Sequence, residues 1–373
     1  MSEKTSPTAE TALLSTGEVI QLSKKARRLY RQKNFTEARE LFALGLTSDP
    51  DNPYLLSGLG DCCRELGALD AAQQAYQHLL ELDPRNLFAL RGLGDLHKLR
   101  QEPQQAIALW EKYLTQRPDD AHVLTRIAEA CKQLEDYERA EKVYQQILAG
   151  DCMDPFALTG LADLLHRLGR DLEAIACYEK VLTLRHDMLH ILTIVGKLCW
   201  RVSDFEKAQR FFRRALDIDP DNPYALYGLG NCYRWKRDYR NAVETWQRIL
   251  DHNEGTIALY SRLGDALTHL GDLTSAEQAY RHVLDQGYDR YAQIGMIKLL
   301  CDRGDFSRAI EELNTLLSVE QDPWRQIEEL SKRFVHTGRR QSMIEFCEHL
   351  LDASVPNCID PEHLKQLLAK LKS

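Results

Sequence analysis

Apolar and polar residues follow one another along this chain with a helical period, and the pattern itself returns every 34 residues. Alanine recurs at Ala38, Ala72, Ala106, Ala140, Ala174, Ala208, Ala242 and Ala276, then at Ala309 after one step of 33. Four residues beyond each of the first eight, one helical turn on and on the same face, stands a large aromatic: Phe42, Tyr76, Trp110, Tyr144, Tyr178, Phe212, Trp246 and Tyr280. Twelve residues before each alanine stands a small residue: Ala26, Gly60, Gly94, Ala128, Ala162, Gly196, Gly230 and Gly264. Glycine inside a helix costs roughly 1 kcal/mol against alanine, so glycines recurring at one phase require a packing reason. The spacing predicts a hairpin: a first helix carrying the small residue, a second carrying the alanine, and the aromatic filling the space beside their close approach.

The ends of the elements repeat as well. Pro50, Pro84, Pro118 and Pro220 stop second helices, because proline has no amide to donate and clashes with the preceding turn. Asn52-Pro53, Asp154-Pro155 and Asn222-Pro223 read as an N-cap followed by the first helical position of the next unit. Gly271-Asp272, Gly304-Asp305 and Asn34-Phe35 read as the tight turns within hairpins.

The stretch Asn52 to Pro84, with Leu59, Gly60, Gly67, Ala72, Tyr76 and Pro84, closely resembles the tetratricopeptide repeat (TPR) family. The resemblance covers roughly Gly17 to Ala353. It departs toward the C-terminus, where Ile297 and Ser331 replace the small residue and Leu313 and Cys347 replace the aromatic. Terminal repeats are expected to be atypical because one face meets solvent. The resemblance implies an all-α, right-handed superhelical solenoid of about ten 34-residue helix-turn-helix repeats with a C-terminal capping helix. Residues 1–16 are expected as a disordered tail, 17–353 as the solenoid with its last two repeats degenerate, and 354–373 as the capping helix and tail.

Composition narrows the function classes. The chain is 373 residues long, 44% hydrophobic and 28% charged, so it can bury a core beneath a solvated exterior. A net charge of −8 argues against nucleic-acid binding, which needs clustered Lys and Arg in excess. The first residues, Met1 to Gly17, have neither the basic nor the apolar region of a secretory leader, and no run of eighteen apolar residues occurs, so the expected compartment is the cytoplasm, without membrane insertion. The 10 cysteines are dispersed, with no CxxC spacing, and read as reduced core residues; adjacent Cys62 and Cys63 share that reading, since Cys63 has the repeat phase of Cys131 and Cys199. His186 and His190, four apart, could face a metal, but no third ligand is evident and His186 falls where a turn is expected. No nucleotide-loop, HExxH or GxSxG motif is present, and no cofactor is expected.

The resemblance therefore implies a non-catalytic scaffold or adaptor whose first helices line a groove for a protein or peptide segment. The position after the small residue, occupied by Arg27, Asp61, Asp95, Glu129, Asp163, Lys197, Asn231, Asp265, Lys298 and Lys332, should face that groove. Acidic residues in the early repeats, with one Asn only, Asn231, do not fit the Lys-Asn-Arg carboxylate clamp of some family members. The candidate protein-binding site is the aromatic and cationic group Lys197, Trp200, Arg201, Tyr224, Tyr227, Asn231, Arg234 and Trp235, because aromatics and arginine are enriched at binding hot spots. Against this stands a packing role for Trp200 and Trp235 between repeats. The alternative function is a structural or self-associating subunit using the convex face or the degenerate C-terminal repeats.

Overall fold

The computed structural model describes residues 14–150, 153–252, 255–319, 323–336, 338–352 and 360–372. Two compact units make up the chain, Met1–Leu184 and Arg185–Ser373. The first unit contains five hairpins: α1 (Thr16–Arg31) with α2 (Phe35–Ser48), α3 (Pro53–Glu65) with α4 (Leu69–Leu82), α5 (Leu87–Leu99) with α6 (Pro103–Leu114), α7 (Ala121–Gln133) with α8 (Tyr137–Ala149), and α9 (Pro155–Arg167) with α10 (Asp171–Leu184). The second continues with α11 (Leu189–Arg201) and α12 (Phe205–Ile218), α13 (Pro223–Trp235) and α14 (Tyr239–His252), α15 (Ile257–Leu270) and α16 (Leu273–Leu284), α17 (Arg290–Arg303) and α18 (Phe306–Val319), and α19 (Pro323–His336) and α20 (Arg340–Asp352). A final helix, α21 (Pro361–Lys372), lies against α20. Among the described residues there is no strand, and no helix is long and apolar enough to cross a membrane.

Local chemistry sets the helix ends. The side chain of Asn52 accepts from the amides of Tyr54 and Leu55, Asp154 from those of Phe156 and Ala157, and Asn222 from that of Ala225, with proline at the first position of each helix. Each such cap contributes about 1 kcal/mol. Every hairpin turn has one left-handed residue at the same phase. Glycine fills it at Gly67, Gly169, Gly271, Gly304 and Gly338, whereas Lys33, Gln101, Glu135, Ser203 and Arg237 fill it elsewhere. Side-chain-bearing residues are strained there by about 1–2 kcal/mol, so the turn geometry is imposed by the hairpin. Residues 1–13 of the expected tail and 353–359 ahead of α21 lie outside the described residues; Ser15 caps the first helix, which opens at Thr16, one residue inside that expected tail.

The core is built around the repeated aromatic. A Cβ on Gly60 would come within 2.6 Å of the Tyr76 ring of its own hairpin, and one on Gly92 of the next hairpin would collide with the other side of the same ring. Phe212 is gripped in the same way by Gly196 and Gly228, and Tyr280 by Gly264 and Gly295. The glycines at 58, 92, 160, 228 and 295 form a second small-residue phase, two positions before the first, that the initial repeat pattern does not include. Each ring thus joins its own hairpin to the following one. Where the pattern degenerates, Leu313 and Cys347 occupy the ring position and Ile297 and Ser331 the small one, all buried; volume is traded between Leu313 and Ile297, whereas Cys347 and Ser331 are both small.

At the C-terminal end Leu364 is fully buried, and Arg340 Nε donates to the Leu371 carbonyl at 2.8 Å, satisfying an orphan acceptor of the last turn. Farther back, Glu277 on α16 accepts from Arg281 at 2.8 Å, Arg303 at 2.5 Å and Arg308 at 2.7 Å, tying α16 to α17 and α18. The Arg308 hydrogen bond above all, with Arg303 and Arg281, holds this carboxyl down at about 2.

Two stability measurements follow from these contacts. Gly228→Ala, which drives a methyl into the Phe212 ring, should lower stability by about 1–3 kcal/mol in chemical denaturation followed by circular dichroism, while Gly17→Ala, with open space around it, should not. The depressed Glu277 carboxyl contributes stability that is present above its unfolded pKa and lost as pH falls through about 2. Glu277→Gln should therefore cost on the order of 1–3 kcal/mol at pH 7, and the difference from wild type should shrink between pH 4.5 and pH 2.

Candidate functional site

The residue after each small position shows how the core dictates the first-helix face. In α3 the carboxylate of Asp61 accepts from the Tyr76 hydroxyl at 2.8 Å, and Glu129 and Asp163 accept likewise from Tyr144 and Tyr178. A buried phenol needs an acceptor, and a carboxylate fifteen residues earlier supplies it. Asp95 instead takes Arg126 at 2.6 Å and Arg64 at 3.4 Å, and its burial raises the carboxyl above its ordinary value despite the surrounding cations. The acidic run of the early repeats is thus consumed internally.

In α11 the ring is Phe212, which has no hydroxyl, and the corresponding position carries exposed Lys197. Lys197, Trp200 and Arg201 line a recess of about 470 Å³ together with Ser203 and Phe205. Trp200 packs edge-on against Phe205, with ring centroids 4.7 Å apart, and Trp235 of α13 meets the other side of Phe205 at 4.3 Å. The tryptophans have a packing role, bridging neighbouring hairpins through Phe205, while Trp235 remains 50% exposed.

The rest of the expected group is used differently. Asn231 is 6% exposed and accepts from Arg262, so it is not available on the wall; the phase estimate misplaced it because the following hairpin covers it. Arg262 sits 5.3 Å over the Tyr227 ring, and Arg234 pairs with Asp265 at 3.4 Å. Tyr224 projects freely at 77% exposure. The structure therefore brings together Lys197, Trp200, Arg201 and Trp235, adds Phe205, and leaves Tyr227, Asn231 and Arg234 in an internally paired group.

The weaker candidates resolve simply. Cys62 and Cys63 are buried, and burial pushes the Cys62 thiol up to about 12, which makes it a poor nucleophile. His186 lies in the turn before α11 and His190 on its first turn, both exposed. Among the described residues no three His, Cys, Asp or Glu side chains are placed to hold a metal ion.

Profiles described as tetratricopeptide repeat match residues 29–93, 99–155 and 201–263 in one form, and 69–121, 155–221 and 257–286 in others, an unbroken run from 29 to 286. The chain belongs to the tetratricopeptide repeat family. Among solved structures it is similar to PilW, a type IV pilus biogenesis factor, with 17% identity, 57% of this chain and 98% of that chain covered, and a TM-score of 0.50. It is also similar to MamA from Desulfovibrio magneticus RS-1 (21% identity, 45% and 94% covered, TM-score 0.42) and to YrrB, a TPR protein with an unusual peptide-binding site (17%, 56% and 100%, TM-score 0.43). At these identities the likeness is one of fold. No curated protein matches the chain significantly.

Two features of the TPR face escaped the sequence reading. Phe205, the ring joining the two tryptophans, is not among the candidates the repeat pattern singles out. Tyr224 is one member of an exposed row at a fixed phase: Tyr54, Phe88 and Phe156 in the first unit, Tyr224 and Tyr291 in the second, all more than half exposed. Counting back in steps of 34 from Tyr224 would have found it.

Of the five tryptophans, Trp110 and Trp246 are fully buried, whereas Trp200 and Trp235 are open to solvent on one side. Replacing two of the three that water reaches, Trp200→Phe with Trp235→Phe, should markedly lower the fluorescence that acrylamide quenches, the remainder coming from half-buried Trp324, while leaving the far-ultraviolet dichroism unchanged.

Proposed function

We propose that this TPR chain is a non-catalytic scaffold that holds a protein or peptide segment in a groove lined by its first helices, anchored in the second unit on Lys197, Trp200, Arg201, Phe205 and Trp235. The tetratricopeptide repeat fold indicates a protein-interaction scaffold. The observation that carries the finer reading is the recess with its neighbour Trp235: two tryptophans and a phenylalanine left partly uncovered beside Lys197, which meets no carboxylate among the described residues. Large aromatics half-open to water are favourable only when something covers them, and with neighbouring cations they suit a segment pairing an apolar side chain with a carboxylate. Tyr224 would extend the contact along the same face. The free, buried thiols fit a reducing compartment, and we place the chain in the cytoplasm.

The test compares wild type with a Lys197→Glu, Trp200→Ala, Trp235→Ala variant of equal helicity, first in capture from native lysate and then by calorimetry with the identified partner. Loss of about 2 kcal/mol or more of binding, with oligomeric state unchanged by light scattering, is the expected result. Undiminished binding, or concentration-dependent self-association indifferent to these substitutions, would replace this reading with that of a self-assembling subunit.

A further inference from the structure

A second surface, in the first unit, is independent of the tryptophan cluster. Between residues 24 and 33 the chain places six cations, Lys24, Lys25, Arg27, Arg28, Arg31 and Lys33, in a protein of net charge −8. Among the described residues only Arg27 has an ionic partner, Asp61 at 3.4 Å, and it also lies 5.7 Å over the Phe42 ring. Elsewhere on the first helices of this unit Arg64 meets Asp95 and Glu65, Arg126 meets Asp95, Lys132 meets Glu129 and Arg167 meets Glu135. The unmatched cations of α1 border a recess of about 340 Å³ lined by Ser23, Lys24, Arg27, Arg28, Arg31 and Tyr54, whose ring is 69% exposed.

The fold does not account for this concentration of charge. Lys24 with Arg28 and Arg27 with Arg31 are like charges one turn apart, an arrangement that destabilises a helix by a few tenths of a kcal/mol per pair. The helix dipole favours Arg28 and Arg31 in the last turn but offers nothing to Lys24, Lys25 and Arg27. A helix that merely solvated the end of a repeat array would mix signs, as α21 does with Glu362 and Lys365 paired.

We propose that this recess on α1 docks an acidic, extended segment of a partner protein, its carboxylates on Lys24, Arg28 and Arg31 and an apolar side chain against Tyr54. The cations are confined to α1 and the turn that follows it, in a chain of net charge −8, a footprint too small for the continuous phosphate array of a nucleic acid. A short acidic peptide matches the extent of the recess and its sign of charge.

The experiment is fluorescence anisotropy of a fluorescein-labelled peptide, three repeats of Glu-Glu-Leu, titrated with the full chain, alongside an oligothymidylate of matched charge. The peptide should bind, and a Lys24→Glu, Arg28→Glu, Arg31→Glu variant should bind it at least about tenfold more weakly. The milder Arg28→Gln, Arg31→Gln variant should show a smaller loss in the same direction, guarding against misfolding of the triple variant. Tyr54→Ala should weaken binding several-fold, and the loss caused by the α1 variants should be undiminished in a Lys197→Glu, Trp200→Ala, Trp235→Ala background, which separates this site from the one in the second unit. Absence of peptide binding to wild type, indifference to both α1 variants, or tighter binding of the oligothymidylate would each overturn the proposal.

Discussion

The structure depends on one contact, an aromatic ring pressed between two backbones. Tyr76 lies between Gly60 of its own hairpin and Gly92 of the next, and Phe212 lies between Gly196 and Gly228, so the same ring that closes a hairpin also stacks it on its neighbour. A hairpin with one amphipathic face cannot bury itself, and the ring is where two incomplete units become one core. Van der Waals gaps of half an ångström forfeit much of the attraction, which is why both flanking positions favour glycine despite its entropic disadvantage in a helix. Where no second glycine is present, as opposite Trp110 and Trp246, arginines 126 and 262 stand at that phase and run across the face to Asp95 and Asn231.

Core composition then propagates to the surface. A tyrosine in the ring position brings a hydroxyl that must be satisfied, and Asp61, Glu129 and Asp163 stand fifteen residues earlier to accept from it. The first-helix face is acidic in those repeats because the core needs it to be. Phenylalanine removes the need, and the two repeats with phenylalanine, built on Phe42 and Phe212, carry Arg27 and Lys197 at the same position.

The sequence was most legible where the same constraint was repeated. Helix order, caps and turns followed from a 34-residue period because each copy of Ala72 and Tyr76 faces the same neighbours. Individual surface residues were less legible, since phase says which way a side chain leaves its helix but not what the next hairpin lays over it. Asn231 left α13 toward the expected wall and was covered by Arg262 from α15. Phe205 opens a second helix, a position whose ring could equally have turned away; only the positions of Trp200 and Trp235 on either side make it the centre of a cluster. The left-handed residue in every hairpin turn was legible at Gly271 and Gly304, yet hidden at Lys33 and Ser203, where hairpin geometry overrides preference.

Departures from a repeat's internal logic are where a repeat protein has freedom to act. A carboxylate bound to a tyrosine hydroxyl cannot be altered without disturbing the core, so Asp61, Glu129 and Asp163 are held by folding. Lys197 carries no such obligation. It belongs to a hairpin whose ring asks for nothing, beside tryptophans that the stack only half covers, and Arg27 stands over Phe42 at the edge of a recess whose other cations have no ionic partner among the described residues. In each unit the recess lies at the hairpin whose ring is phenylalanine, so the same substitution that releases the core from needing an acid leaves a cation for a ligand to meet. On this argument, exchanging Phe212 for tyrosine would place a buried hydroxyl near Lys197 with no carboxylate to accept from it, and the surface and the core of that repeat would come into conflict together.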